Sequence, residues 1–297
     1  MMPDYDENVD LVGRELLSRC SMDSSCISKF VGRHPNEELT QLWNDINSNK
    51  STCFDKIPGI SKPFINLFQA HSYNLLSSQD PFMRLLIPPL IKRLSRCSSK
   101  DVEALSKFFS PTKEIPLNEL PMSSFSLGVN IIGSEMVSFD GNPPRWKEIE
   151  QQETGMFFTP RRVEFSHAIW DVWPRYKLDG TVGEYSPAPQ KTKVPKVMIL
   201  QGDLDASTPF WGAQWVSEKY KSIGWKGNLE FVKYPTGMHS LLKTECGFQV
   251  LESFILSSGQ RVDKSCLMKQ PELDVEGKTK EVQERSLRVF GTANPWE

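Results

Sequence analysis

Two carboxylates and one imidazole stand where enzymes commonly move protons. Asp203 and Asp205 lie in QGDLDASTP, directly after the apolar run from Val197 to Leu200, and His239 lies in YPTGMHSL, directly after LEFVK at 229 to 233. Loops just past the carboxyl ends of parallel strands are where the working residues of open α/β sheets gather. A carboxylate on one such loop and an imidazole on the next can meet. The acid then fixes the tautomer of the histidine and stabilises its protonated form, and the other ring nitrogen faces a nucleophile. Asp205 and His239 are the candidate catalytic pair, with Asp203 as a turn or supporting carboxylate. Read singly, Asp203 could cap the following helix and His239 could be a surface loop residue bonded to a carbonyl.

No metal chemistry is expected. His34, His71 and His167 have no second ligand at useful spacing, and the six cysteines, Cys20, Cys26, Cys53, Cys97, Cys246 and Cys266, form no C-x-x-C pair. An even set of cysteines without metal spacing favours an oxidised framework, in which Cys20 with Cys26 and Cys246 with Cys266 are close enough in sequence to be local staples; the alternative is six buried thiols. A glycosylation triplet, Asn49-Lys50-Ser51, suits a secreted surface loop. Trp170, Trp173, Trp211 and Trp215 could wall an apolar subsite, although core packing is the commoner use of such residues.

The elements that must position these residues follow from apolar spacing. LVGRELLSRC, EELTQLWNDI, KPFINLFQAHSYNLL and MRLLIPPLIKRL place apolar residues three and four apart, which predicts helices over the first 110 or so residues. From 111 to 195 the pattern is irregular and rich in Pro and Trp, apart from the run LGVNII at 127 to 132, which predicts a buried strand. From Val194 onward, VPKVMIL predicts a strand, FWGAQWVSEKYKSI a helix, LEFVK a second strand and CGFQVLESFIL a second helix with Phe248, Leu251 and Ile255 on one face. Two consecutive strand–loop–helix units imply a parallel sheet. KQPELDVEGKTKEVQER reads as an extended linker, after which RVFGTANPWE docks its Phe and Trp onto the body. The expected division is a helical region at 1–126, an irregular connection with one strand at 127–193, an α/β lobe at 194–266 and a polar tail at 267–297.

Composition narrows the partners. The 297 residues are 38% hydrophobic and 24% charged with a net charge of -2, the balance of a globular protein without a concentrated basic face. Nucleic acid and anionic membrane surfaces are therefore not expected partners. No apolar run approaches the roughly 18 to 20 residues that would span a bilayer, and MMPDYDENVDLVGREL lacks the regions of a secretory signal.

ILQGDLDASTP, then YPTGMHSLL, then CGFQVLESFI with the later Cys266, resembles the carboxyl-terminal domain of tripeptidyl-aminopeptidase-like proteins, peptidase family S33 of the α/β-hydrolases. The resemblance covers 190 to 297 well and the earlier helical part, with RELLSRCSMDSSC, more loosely as the family's cap; the FGTANPWE ending fits larger eukaryotic members. It implies that Asp205, last residue of a Gly-x-x-Asp turn before Thr208 and Pro209, is the triad acid and that His239, after Gly237, is the triad base. The acid-then-histidine order agrees with this superfamily. The resemblance also implies a partial α/β-hydrolase fold, no cofactor, a secreted or lysosomal-type compartment and, in the intact relative, hydrolysis of peptides at their amino termini. An aminopeptidase must recognise a free ammonium, and Glu135 in IIGSEM is a candidate substrate-binding carboxylate for it, with a solvated surface charge as the alternative.

An active member needs a serine on a Gly-x-Ser-x-Gly elbow, and the sequence contains none; its one Gly-x-Ser, Gly59-Ile60-Ser61, continues into Lys62-Pro63. The family's nucleophile precedes the cap, so the chain is expected to begin after it, to lack most of the central sheet and to be inactive alone; a separately encoded, complementing amino-terminal half is a further reading. Two other readings compete. One is a pseudoenzyme or protein-binding module that kept the cap and the carboxyl-terminal lobe. The other is a haloacid-dehalogenase-type phosphatase using Asp203 and magnesium, suggested by VMILQGDLDAS but lacking the direct strand-to-Asp junction of that pattern.

Overall fold

The computed structural model describes residues 5–31, 33–48, 50, 52–60, 64–110, 146–159, 167, 196–222, 227, 229–270 and 272–297. The predicted strand at 127–132, Glu135, Trp170 and Trp173 lie outside the described residues.

The amino-terminal region is helical: α1 (Tyr5–Met22), α2 (Ser24–Ser28), α3 (Pro35–Asn47), α4 (Phe64–Ser77), α5 (Ile87–Arg96) and α6 (Ser99–Phe108). Local chemistry sets several of the boundaries. Asp23 caps α2, His34 caps α3 ahead of Pro35, and Ser98 with Asp101 forms a capping box on α6. Most apolar positions foreseen from helical spacing pack: Val12, Leu16 and Leu17 of α1, Leu39 of α3, Phe68 of α4, and Leu90 and Ile91 of α5 are fully buried in one core together with Val9, whereas Leu11 is exposed. Each such side chain contributes roughly 1.5–3 kcal/mol of burial before the entropy of ordering it is subtracted.

The stretch expected to be an irregular connection contributes to this core. A helix, α7 (Trp146–Glu153), leads into Phe157 and Phe158, which are buried among the amino-terminal helices. Asp10 of α1 accepts the backbone N–H groups of Phe157 and Phe158 at 2.7 and 2.9 Å, and Asp6 accepts the Thr159 hydroxyl at 2.7 Å. Two buried carboxylates on α1 thus hold the chain that returns across it. Their partners lie about 150 residues away, so no local pattern announces them.

The remaining lobe is built on two parallel strands, β1 (Val197–Gly202) and β2 (Leu229–Tyr234), paired in register from Val197 with Leu229 to Gly202 with Tyr234. The helices α8 (Phe210–Ser222) and α9 (Glu245–Leu256) follow them. Period-two alternation sorts the side chains. Met198, Leu200, Val232 and Tyr234 share a small cluster with Leu241, Cys246 and Val250, and Phe231 meets Phe210 of α8 edge-on with ring centroids 5.7 Å apart.

The helix faces differ from expectation. Phe248 and Ile255 do lie on a common side of α9, but that side is outward, and it is Cys246, Gly247 and Val250 that are buried. Trp215 of α8 is also exposed. Periodicity identifies an apolar face, but among the described residues the sheet has two strands, and this side of α9 stays exposed.

The carboxyl-terminal segment is also more ordered than a linker. Its second half forms α10 (Lys280–Phe290), with Val282, Ser286 and Phe290 buried and Gly291 closing it in the left-handed conformation. The heavily charged composition of KTKEVQER hides a narrow buried stripe. Trp296 packs edge-on against Phe30, and Arg93, wholly buried, donates to the carbonyls of Asn294 and Pro295.

Three disulfides, Cys20–Cys26, Cys53–Cys97 and Cys246–Cys266, join Cα atoms 5.2, 5.4 and 5.6 Å apart. The first and third are the expected local staples. The second ties the short 3-10 helix Cys53–Lys56 to the end of α5, where Cys97 adopts a left-handed conformation. Such a framework is consistent with a secreted or extracellular protein. Among the described residues no helix is long and apolar enough to cross a membrane.

Candidate acid–histidine site

The two loops carrying Asp205 and His239 leave the same end of the two-stranded sheet. They are brought together by glycine at both crossing points. A Cβ on Gly202 would stand 2.6 Å from the backbone carbonyl of Gly237, and one on Gly237 would stand 3.0 Å from the Cα of Gly202. At this separation the Asp203 N–H donates to the Tyr234 carbonyl and the Leu204 N–H to the Gly237 carbonyl, both at 3.0 Å. The backbone of the acid loop is thereby fastened to that of the histidine loop.

On this base the two side chains meet: the Asp205 Oδ2 lies 3.1 Å from the His239 Nδ1. The Asp205 carboxylate is buried, whereas 41% of the His239 side chain is exposed. Asp205 is held by its own turn, Oδ1 accepting the N–H groups of Ser207 and Thr208 at 2.8 and 2.9 Å and Oδ2 accepting the Thr208 hydroxyl at 2.8 Å. Its orientation is fixed before the histidine is considered.

These contacts also determine where the imidazole proton sits. The Thr208 Oγ1 is 3.2 Å from the same Nδ1 and has one proton, which goes to the carboxylate. Both oxygens facing Nδ1 are therefore acceptors toward it, so Nδ1 carries the proton and Nε2 is left as the basic nitrogen. Thr208 entered the sequence analysis only as part of a motif; the structure makes it a direct neighbour of the ring. Immediately after the histidine, Ser240 has φ +62°, a left-handed conformation that L side chains seldom adopt, and it turns the chain into the short helix Leu241–Lys243.

Asp203 supports the loop and lies apart from the imidazole contact. Its oxygens pair with Arg19 of α1 and with Lys233 of β2, the latter at 2.7 Å. Both oxygens of Asp203 are thus engaged by cations. Arg19 also donates to the Pro235 carbonyl, Arg84 donates to the Thr236 carbonyl at 2.6 Å, and Tyr5 donates to the Ala206 carbonyl at 3.2 Å. Three side chains of the helical region thus hold the two loops from beneath. Their sequence separations, from 152 to 216 residues, put them beyond the reach of any spacing rule.

The imidazole opens onto a cleft of about 850 Å³ between the helical region and the α/β lobe, with Arg84, Phe82, Thr236 and Leu241 in its walls. The other histidines have separate structural roles. His34 Nδ1 accepts the Asn36 N–H, His71 Nδ1 lies 2.9 Å from the Leu67 carbonyl, and His167 stacks on Trp146 beside Glu150. Burial lowers the pKa of His71. Trp211 and Trp215 lie on the outer side of α8, and neither is among the residues lining the cleft. Among the described residues no group of three or more His, Cys, Asp or Glu side chains could hold a metal ion.

Comparison of the chain with protein-family models, with curated proteins and with solved structures returns no match.

Proposed function

We propose that this chain carries the acid and base of a serine-hydrolase-type centre, as in the α/β-hydrolase peptidases of family S33. Asp205 orients and stabilises His239, whose Nε2 serves a nucleophile at the mouth of the cleft. The observation that carries this reading is the 3.1 Å contact between a buried, turn-locked carboxylate and an imidazole open to a cleft, on adjacent parallel strands. In such a centre His239 takes the nucleophile's proton as general base and returns it to the leaving amine, while Asp205 stabilises the imidazolium between those steps. The substrate class is a peptide attacked near its amino terminus, and the compartment is secreted or lysosomal. The chain has no Gly-x-Ser-x-Gly elbow, so the reading assigns the acid and the base to these residues and leaves the nucleophile outside them.

Nitrogen-15 NMR of histidine-labelled protein tests the pair directly. The neutral ring of His239 is expected as the Nδ1–H tautomer, and Asp205→Asn, whose amide can donate to Nδ1, is expected to shift it toward Nε2–H. An Nε2–H tautomer in the parent protein would overturn the assignment. Co-expression with a family segment bearing the elbow should then yield cleavage of a tripeptidyl reporter that is lost in His239→Ala.

A second reading is favoured by one observation: the main core joins the amino-terminal helices to Leu204 and Ala206 of the acid loop and to Val282, Phe290 and Trp296. A folded body of this kind can serve as a binding module without turnover. Cooperative unfolding together with failure of every complementation would favour it.

A further inference from the structure

Arg84 is 2% exposed, and its Nε and Nη1 have no hydrogen-bond partner among the described residues. Its Nη2 donates to the Thr236 carbonyl, which among the described residues leaves four of its five N–H donors unused, three of them on Nε and Nη1. No carboxylate among the described residues forms an ion pair with it, although nearby Arg19 has both Glu15 and Asp203. Burial, with the charge of Arg19 close by, lowers the Arg84 guanidinium to about 10, so it is still a cation at neutral pH. A buried cation facing a single neutral acceptor is costly, and native structures retain such groups where an ion, a ligand or a partner completes them.

The position of Arg84 indicates what would complete it. It lines the same cleft as His239, and its one acceptor, Thr236, lies three residues before the histidine. Phe82, Leu85 and Leu241 give the cleft an apolar side, and the exposed Glu245 and Glu272 offset the exposed Lys243 and Lys269, so the rim adds little net charge to that of the buried Arg84. An apolar ligand with a single negative charge fits this combination best.

We propose that the His239 cleft contains a carboxylate subsite whose cation is Arg84. The inference rests on reading the His239 cleft as the substrate cleft, and its ligand is a monocarboxylate on an apolar body, as at the carboxyl end of a short peptide. Because the guanidinium is covered, entry of the carboxylate requires a rotamer change in the cleft wall, a common adjustment on binding. The carboxylate replaces the missing counter-ion, and the charge-assisted hydrogen bonds it accepts are stronger than those of a neutral amide.

The test is calorimetric titration of the full chain with N-acetyl-Ala-Ala-Phe as the free acid and as the carboxyl-terminal amide. The acid is expected to bind about tenfold or more tightly than the amide. Arg84→Met should abolish that preference and Arg84→Lys should keep part of it. Competition by sodium acetate separates the two sources of this chemistry: displacement at similar concentrations identifies a site for small carboxylates, and weak displacement identifies a peptide terminus. Equal binding of acid and amide by the parent protein, no binding of either, or a preference that survives in Arg84→Met would overturn the proposal. If Arg84→Met does not fold, the acid-to-amide ratio of the parent and of Arg84→Lys still decides. The His239 tautomer plays no part in this readout, so failure of the acid–histidine reading and failure of the subsite are separately visible.

Discussion

Replacing Gly202 by alanine should separate the two halves of the site. The added Cβ would stand 2.6 Å from both the carbonyl carbon and the oxygen of Gly237, and 2.7 Å from the Met238 carbonyl oxygen. Ordinary contact begins near 3.4 Å, so the loops must part by about 0.8 Å, and the atoms in the way are backbone, which cannot rotate aside. A displacement of that size takes the Asp203-to-Tyr234 and Leu204-to-Gly237 hydrogen bonds, now 3.0 Å, outside bonding range. Two lost bonds at about 1 kcal/mol each, with an overpacking cost of about 1–3 kcal/mol moderated by relaxation, give roughly 2–4 kcal/mol of destabilisation. Urea unfolding of Gly202→Ala against the parent measures this as a lower midpoint at unchanged slope. The same variant should lose the single Nδ1–H tautomer of His239, because the imidazole moves with its loop. A variant within about 0.5 kcal/mol of the parent, with the tautomer intact, would refute the claim that this glycine crossing sets the distance between acid and base.

Three further outcomes follow from contacts elsewhere. Arg19→Met removes one of the two cations paired with a mostly buried Asp203, leaving Lys233, and the donor to the Pro235 carbonyl, and should cost about 1.5–3 kcal/mol, read by thermal or urea unfolding. Burial alone would raise the pKa of Asp101, but hydrogen bonds from Arg96 and Ser98 outweigh it and hold it at about 2. The folded value lies below the ordinary 3.8, so this contribution is present above about pH 4 and lost as the pH falls toward 2. Discounted for the partly exposed Arg96, the loss is about 1–2 kcal/mol in acid unfolding, and Asp101→Asn should flatten it. Cys53→Ser with Cys97→Ser opens a cross-link spanning 44 residues and should cost about 2–4 kcal/mol in denaturant, while reductant lowers the midpoint of the double variant less than that of the parent, because only Cys20–Cys26 and Cys246–Cys266 are left to reduce.

Within the described residues, local sequence determined the amino-terminal helices, both strands and which carboxylate and imidazole meet, Asp205 and His239. Helical spacing, period-two alternation and the habit of functional residues to follow strands all operate over a few residues and need no knowledge of the rest of the chain. The same locality explains what was misjudged. A charged stretch became α10 because Val282, Ser286 and Phe290 alone face inward, and the apolar side of α9 that carries Phe248 and Ile255 faces outward while Cys246, Gly247 and Val250 turn toward the sheet cluster. Only the tertiary structure decided that Gly202 and Gly237 touch, that Thr208 shares Nδ1 with Asp205, and that Tyr5, Arg19 and Arg84 carry the loops. Those contacts join residues as far as 216 positions apart, where pairing is selected by the packing of the whole body and leaves no periodic trace in the chain.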